Sequence, residues 1–222
     1  MSDMESLAES TGASLDRCLR ERDRAGAVRS VLAATDAGLA IEDLYSQVLQ
    51  PFLVAVGSEW QQGRTAVWEE HLIVGAVRSA VEALYPRVLE RKAAVPQVPV
   101  TVAFFCPPEE THDLGLRMLA DRFDLRGFRT VYVGAGTPVE EMVKCVRAEG
   151  AAVVCLSAST HFQKAALHNV ITTLRGRLPG VRLIVGGPAF VQATVGWEEY
   201  VVGDVETLLD ELAANTRERS DA

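Results

Sequence analysis

The sequence predicts an α/β protein, with a small four-helix bundle followed by a doubly wound parallel sheet of five strands. Three observations lead there. From Ser14 to Leu89, apolar residues recur every three to four positions, the signature of helices burying one face. The stretch Pro96–Pro99 (PQVP) then ends helical continuity, because a proline pushes the residue before it out of the α region. Beyond it, short Val/Ile/Leu runs alternate with helix-period segments, as in a sheet covered by helices on both faces.

Residues 1–13 read as a flexible tail, 14–94 as the helical bundle, 95–216 as the sheet-containing domain and 217–222 as a second tail. In the bundle, LDRCLRERDRAGAVRSVLAA has helical spacing with a break near Arg22–Arg24, and Asp36-Ala37-Gly38 ends it. The segment Ile41–Gln62 places Leu44, Val48, Leu49, Phe52, Leu53, Val56 and Trp60 on one face, and Gly63 stops it. Pro51 predicts a kink there, or a break near Gln50. A fourth helix runs from Ala66 to Leu89, with Val67, His71, Val74, Val77, Val81 and Leu84 on one side.

In the second domain, strands are expected at Val98–Phe105, Arg129–Val133, Ala152–Ser157, Arg182–Gly186 and Glu199–Val202. Helices are expected at His112–Leu125, Pro138–Glu149, Gln163–Leu178, Pro188–Val195 and Glu206–Asn215. Thr137-Pro138-Val139-Glu140 reads as a capping box with proline at the first helical position. Five strands in this rhythm give a flavodoxin-like, doubly wound sheet.

Composition narrows the function. At 222 residues, 48% apolar and 23% charged, the chain is ordinary soluble-globular material. A net charge of −8 argues against the basic stripe that binding a phosphate backbone needs, so no direct nucleic-acid role is expected. Cys18, Cys106, Cys145 and Cys155 form no C-x-x-C, which fits free thiols in a reducing cytoplasm. The polar, acidic start is no signal peptide, and no run approaches the ~18 apolar residues of a membrane span.

The chemistry centres on Cys106–Gly115, CPPEETHDLG, the loop after the first strand, where open α/β sheets place their ligands. It contains Glu110-x-His112-x-x-Gly115. A carboxylate holding one nitrogen of an imidazole fixes the tautomer and raises the basicity of the other, as metal ligation favours. Gly115 leaves room for a bulky group. Alone, this pattern is a weak signal, since a lone His in a loop is more often a surface or capping residue. Two further motifs follow in order: Leu156-Ser157-Ala158-Ser159 after strand three and Val185-Gly186-Gly187-Pro188 after strand four.

Together the three motifs resemble the cobalamin-binding domain of methionine synthase, corrinoid methyl carriers and coenzyme-linked mutases. The resemblance implies that His112 ligates cobalt from below. It also implies that the displaced nucleotide tail enters a slot lined by Ser157, Ser159, Gly186 and Gly187, with Glu110 and Gly115 supporting the ligand loop. Ser157-Ala158-Ser159 departs from the family's usual Ser-x-Leu.

In the helical half, Trp60 precedes Glu70-His71 in a Trp-x9-Glu-His pattern. It is similar to the upper-face signature of the CarH/LitR family of cobalamin-dependent light-sensing regulators. That resemblance implies that Trp60, Glu70 and His71 surround an adenosyl group above the cobalt. Two departures bear on function. The regulators carry an N-terminal helix-turn-helix domain, and only a short tail is expected here. Gln61 stands where many of them have a cobalt-capturing His. His161 is expected as a cap or corrin-edge contact, and His168 as an exposed helix residue.

The expected function is therefore a cobalamin-binding sensor, not itself an enzyme, responding to light through adenosylcobalamin photolysis and acting on a partner protein. The alternative is a corrinoid methyl-carrier subunit that takes methylcobalamin and works with methyltransferases. A mutase subunit would need radical-chemistry residues that the sequence does not offer. Whether the chain forms a homo-oligomer stays open.

Overall fold

The computed structural model describes residues 3–190 and 195–220. The chain forms two compact units, Met1–Glu90 and Arg91–Ala222, each with its own core.

The first unit is all helical: α1 (Asp3–Arg20), α2 (Arg24–Asp36), α3 (Ile41–Asp43), a π-helical turn (Leu44–Leu49), α4 (Gln50–Gln61) and α5 (Val67–Ala93). The expected tail over residues 1–13 is instead helical from Asp3. Ala8, Thr11, Leu15 and Leu19 bury one face of α1, and the Thr11 hydroxyl is satisfied by the Leu7 carbonyl at 2.7 Å. The run of Ser, Glu and Thr masks that helical spacing in the sequence. The break near Arg22 is present. Arg22 takes a left-handed φ of 60°, and Asp23 caps α2 by accepting from Gly26 N at 2.7 Å.

Pro51 does not end the helical stretch, which runs on from Ile41 to Gln61, but the helical type changes just before it. Having no N–H, it cannot bond the preceding turn, and the helix widens just before it, with Gln50 N–H reaching Tyr45 O. The core holds Leu15, Val31, Leu44, Tyr45, Leu49, Val77, Val81 and Leu84. The buried face of α5 begins only at Ala76. Val67, which the spacing placed with the core residues, is exposed, as are Trp68 and Leu72.

The second unit carries a four-stranded parallel sheet: β1 (Val98–Phe105), β2 (Phe128–Gly134), β3 (Val153–Ser157) and β4 (Arg182–Gly186), in the order β2-β1-β3-β4. The fifth strand is reduced to a single parallel bridge, Val185 to Val201. Tyr200 N and Val201 N are turned back to Trp197 O at 2.9 Å, so this segment does not extend along β4. With that bridge the order is the flavodoxin-like 2-1-3-4-5.

Successive strand residues alternate between two cores, as a period of two requires. Ala103, Phe105, Val154 and Leu156 pack on one face beneath α7 (Val139–Glu149) and α8 (His161–Arg177). Val102, Phe104, Val153 and Cys155 pack on the other beneath α6 (Leu114–Leu125) and α9 (Val205–Ser220). The helix expected over Pro188–Val195 is a 3-10 turn at Pro188–Phe190, and residues 191–194 lie outside the described residues. Helix α9 runs on to Ser220, into the stretch expected as a tail.

The capping box expected at Thr137 is absent. Pro138 is the N-cap of α7, and the Thr137 hydroxyl donates to Gly134 O. A capping box does form three residues past the end of β3, where Thr160 and Gln163 open α8. Among the described residues no helix is long and apolar enough to cross a membrane.

Candidate functional site

The strand order reverses between β1 and β3, and the loops leaving those two strands form the crevice where this topology places ligands. Both expected loop motifs are there, and one side chain joins them. Glu110 is fully buried. Its Oε1 accepts His112 Nδ1–H at 2.7 Å and His112 N–H at 2.8 Å, and its Oε2 accepts Ser159 N–H at 2.7 Å. Burial alone would push this carboxyl up. The three hydrogen bonds outweigh it, led by the one from the His112 ring, and hold the pKa below the usual carboxylate range.

The His112 ring is 54% exposed, with Nδ1 committed to Glu110. Any metal ligation by this residue therefore falls to Nε2. Beneath the loop, Cys106 is buried, and its thiol lies 4.0 Å from the His112 carbonyl oxygen. Burial, with the Glu110 and Asp113 charges adding to it, pushes that thiol up to about 12, so it stays protonated.

Gly115 lies in the first turn of α6, not in the loop. A Cβ there would meet no protein atom within 4 Å, so the space beside it is open. The two glycines after β4 differ from one another. At Gly186, paired with Ser157 across β3 and β4, a Cβ would also meet nothing. At Gly187, with φ +101°, it would lie 2.4 Å from Ala158 O and 2.8 Å from Ser157 Oγ. Gly187 is thus required by the chain's own packing, and Gly186 is the position with free space in front of it. Ser159 enters the site through its backbone N–H. The His161 side chain lies outside the described residues, and His168 is exposed on α8, edge-on to Trp197 at 6.2 Å.

In the helical unit, Trp60 lies in the last turn of α4, and Glu70-His71 lies in the opening turns of α5. Between them Gly63, at φ +70°, closes a Schellman motif: Gly63 N reaches Trp60 O and Arg64 N reaches Glu59 O, both at 2.9 Å. Trp60 is 40% exposed. Glu70 accepts from His71 Nδ1; the Glu70 side chain is 12% exposed and that of His71 70%. The pairing of Glu110 with His112 thus recurs here between sequence neighbours.

Fold and site define a flavodoxin-like domain that offers one carboxylate-supported imidazole at its switch point and an open glycine at the end of a neighbouring strand. The chain belongs to the B12 binding domain family: one such domain matches residues 100–213 and a second matches 13–85. It is 32% identical over 164 residues to the HTH-type transcriptional repressor CarH of Myxococcus xanthus, covering 73% of this chain. The chain spans about half, 52%, of that repressor's length. Its fold is similar to that of the monomethylamine corrinoid protein of Methanosarcina barkeri, with a TM-score of 0.76, 17% identity and coverage of 93% of this chain and 98% of that one.

The protein is accordingly cobalamin-binding, and the residues present fit that group. One imidazole suits a metal that brings its own macrocycle, and the open faces at Gly115 and Gly186 leave room for bulk. A substitution tests the second point. Gly186→Leu should fold normally yet weaken cobalamin binding at least about tenfold, as when a well-packed space is overfilled. Cobinamide, which lacks the nucleotide tail, should bind the variant and the native protein alike. A parallel loss of cobinamide would show that the space at Gly186 does not take the nucleotide tail. What the sequence did not single out is Tyr132 of β2, whose hydroxyl reaches Asp113, the residue after His112.

Proposed function

We propose that this protein is a cobalamin-dependent sensor that prefers the adenosyl form, responds to light and relays its state to a partner protein. Bound adenosylcobalamin supplies a cobalt–carbon bond that light breaks. The chain's own residues do the rest. His112 Nε2 takes the lower position, held by Glu110. Ser157 and Gly186 accommodate the nucleotide tail. Trp60 offers an apolar face to the upper ligand, and Glu70 accepts from its ribose hydroxyls. The observation that carries this reading is the helical pair: a half-exposed indole and a shielded carboxylate flanking one tight turn. The 32% identity to a transcriptional repressor supports a regulatory rather than a catalytic role. Val67, Trp68 and Leu72, exposed on the same opening turns of α5, supply an apolar surface through which a rearrangement there reaches a partner.

The test is a dark titration of Glu70→Ala and Trp60→Ala with adenosyl- and methylcobalamin, with absorbance recorded before and after green light. Glu70→Ala should cost about 1.5–3 kcal/mol of adenosylcobalamin affinity, the range for a hydrogen bond to a charged group. Methylcobalamin, with no ribose, should be nearly unaffected. Equal losses for both ligands, or none for either, would sink the sensor and favour a methyl-carrying subunit. Gln61 is a poor cobalt ligand, so the photoproduct should be aquocobalamin or a His71 adduct.

A further inference from the structure

We infer that Tyr132 is a positioning residue for His112, acting through Asp113 from the β2 side of the loop. The inference rests on His112 being the lower cobalt ligand, as proposed above. Asp113 is the N-cap of α6, a position where an Asp side chain ordinarily accepts from the first free N–H groups of the helix. Here it makes no such cap. Its Oδ2 instead accepts the Tyr132 hydroxyl at 2.7 Å. A cap worth having has been given up for a bond to the neighbouring strand.

The surroundings are built around that bond. Arg117, one turn into α6, lies with its guanidinium carbon 5.5 Å from the Tyr132 ring centroid and is ion-paired with buried Asp121. The phenol is thus held at its face as well as at its tip. Two residues along β2, a Cβ on Gly134 would stand 3.0 Å from both Asp113 Oδ2 and the Tyr132 hydroxyl. Only a glycine leaves the pair undisturbed at that φ of +83°.

Strand β1 lies between β2 and β3, and its loop is fastened to both neighbours. Glu110 ties the loop to Ser159 beyond β3, and Asp113 ties it to Tyr132 on β2. The Glu110 bond sets the rotation of the imidazole. The Asp113 bond fixes the backbone that carries it. Releasing the second tether lets the ring drift while its tautomer is kept, which weakens ligation without removing the ligand.

A double-mutant cycle in the full chain tests this, with methylcobalamin in the dark as the probe. Tyr132→Phe keeps the ring under Arg117 and removes only the hydroxyl. We expect its Kd to rise about tenfold, at the low end for a hydrogen bond to a carboxylate because the effect passes through the backbone. In a His112→Ala background the same substitution should leave Kd unchanged, since there is no imidazole left to position. An equal rise in both backgrounds, or no rise in the first, overturns the inference. The His112→Ala variant alone checks the underlying reading, which fails if its Kd and absorption spectrum match those of the native protein. Should Tyr132→Phe not fold, Asp113→Ala removes the same bond from its other end and is read in the same cycle.

Discussion

Gly187→Ala should destabilise the sheet-containing unit by about 3–5 kcal/mol, while Gly186→Ala, one residue earlier, should be close to neutral. A methyl at Gly187 would stand 2.4 Å from Ala158 O and 3.0 Å from Ala158 N, both backbone atoms. They cannot retreat freely, because Ala158 N bonds Gly186 O at 3.1 Å and Ala158 O accepts from Ala189 N at 3.2 Å. A residue with a side chain at φ +101° adds about 1–3 kcal/mol of backbone strain, and overfilling a packed position adds a similar amount. At Gly186 φ is not in the left-handed region, and the space is open. Chemical denaturation of both variants separates the two glycines. Similar losses at both would show that the close approach of Gly187 to Ala158 does not govern this turn.

That contrast marks where the sequence stops being informative. The Gly-Gly pair after β4 is visible as a motif, but the two glycines look interchangeable. Only the register of Ser157 against Gly186 shows that one faces open space and the other its own neighbouring strand. The strand cores were legible because Val/Ile/Leu runs ending in Pro- or Gly-bounded loops have few alternatives. The weak fifth strand was not, since a Tyr-Val-Val run cannot announce that its backbone folds back on Trp197. The first helix was hidden by Ser and Glu on its exposed faces, with Ala8 and the polar Thr11 as its only buried contacts before Leu15. Glu110 and His112 stood out because two residues of separation suffice for a side-chain bond. Tyr132 could not, because its partner Asp113 lies 19 residues away and meets it only once β1 and β2 pair. The available hint was an Asp at a helix start, directly after His112.

Glu110→Ala should be the most damaging single change in the loop from Cys106 to Gly115. It removes the acceptor for three hydrogen bonds at once, from His112 Nδ1, His112 N and Ser159 N. The Ser159 amide retains Gln163 Oε1 at 3.2 Å, so it is not abandoned altogether. The His112 amide loses its carboxylate partner in a part-buried place, at about 1–3 kcal/mol for a donor left unsatisfied. With the link between the two loops gone as well, about 2–4 kcal/mol of stability should disappear. The native protein should show the same dependence as pH falls. The folded-state pKa of Glu110 lies below that of a carboxyl in the unfolded chain, where about 4.3 is usual. Its contribution is therefore complete above that usual value and is lost as pH drops through the lowered one. Unfolding measured on the ligand-free chain from neutral pH down to about pH 3 should lose stability in that acid window, and Glu110→Ala should lose less of it over the same interval. If the variant and the native protein fall in parallel, the carboxylate is not what ties His112 to the β3 loop.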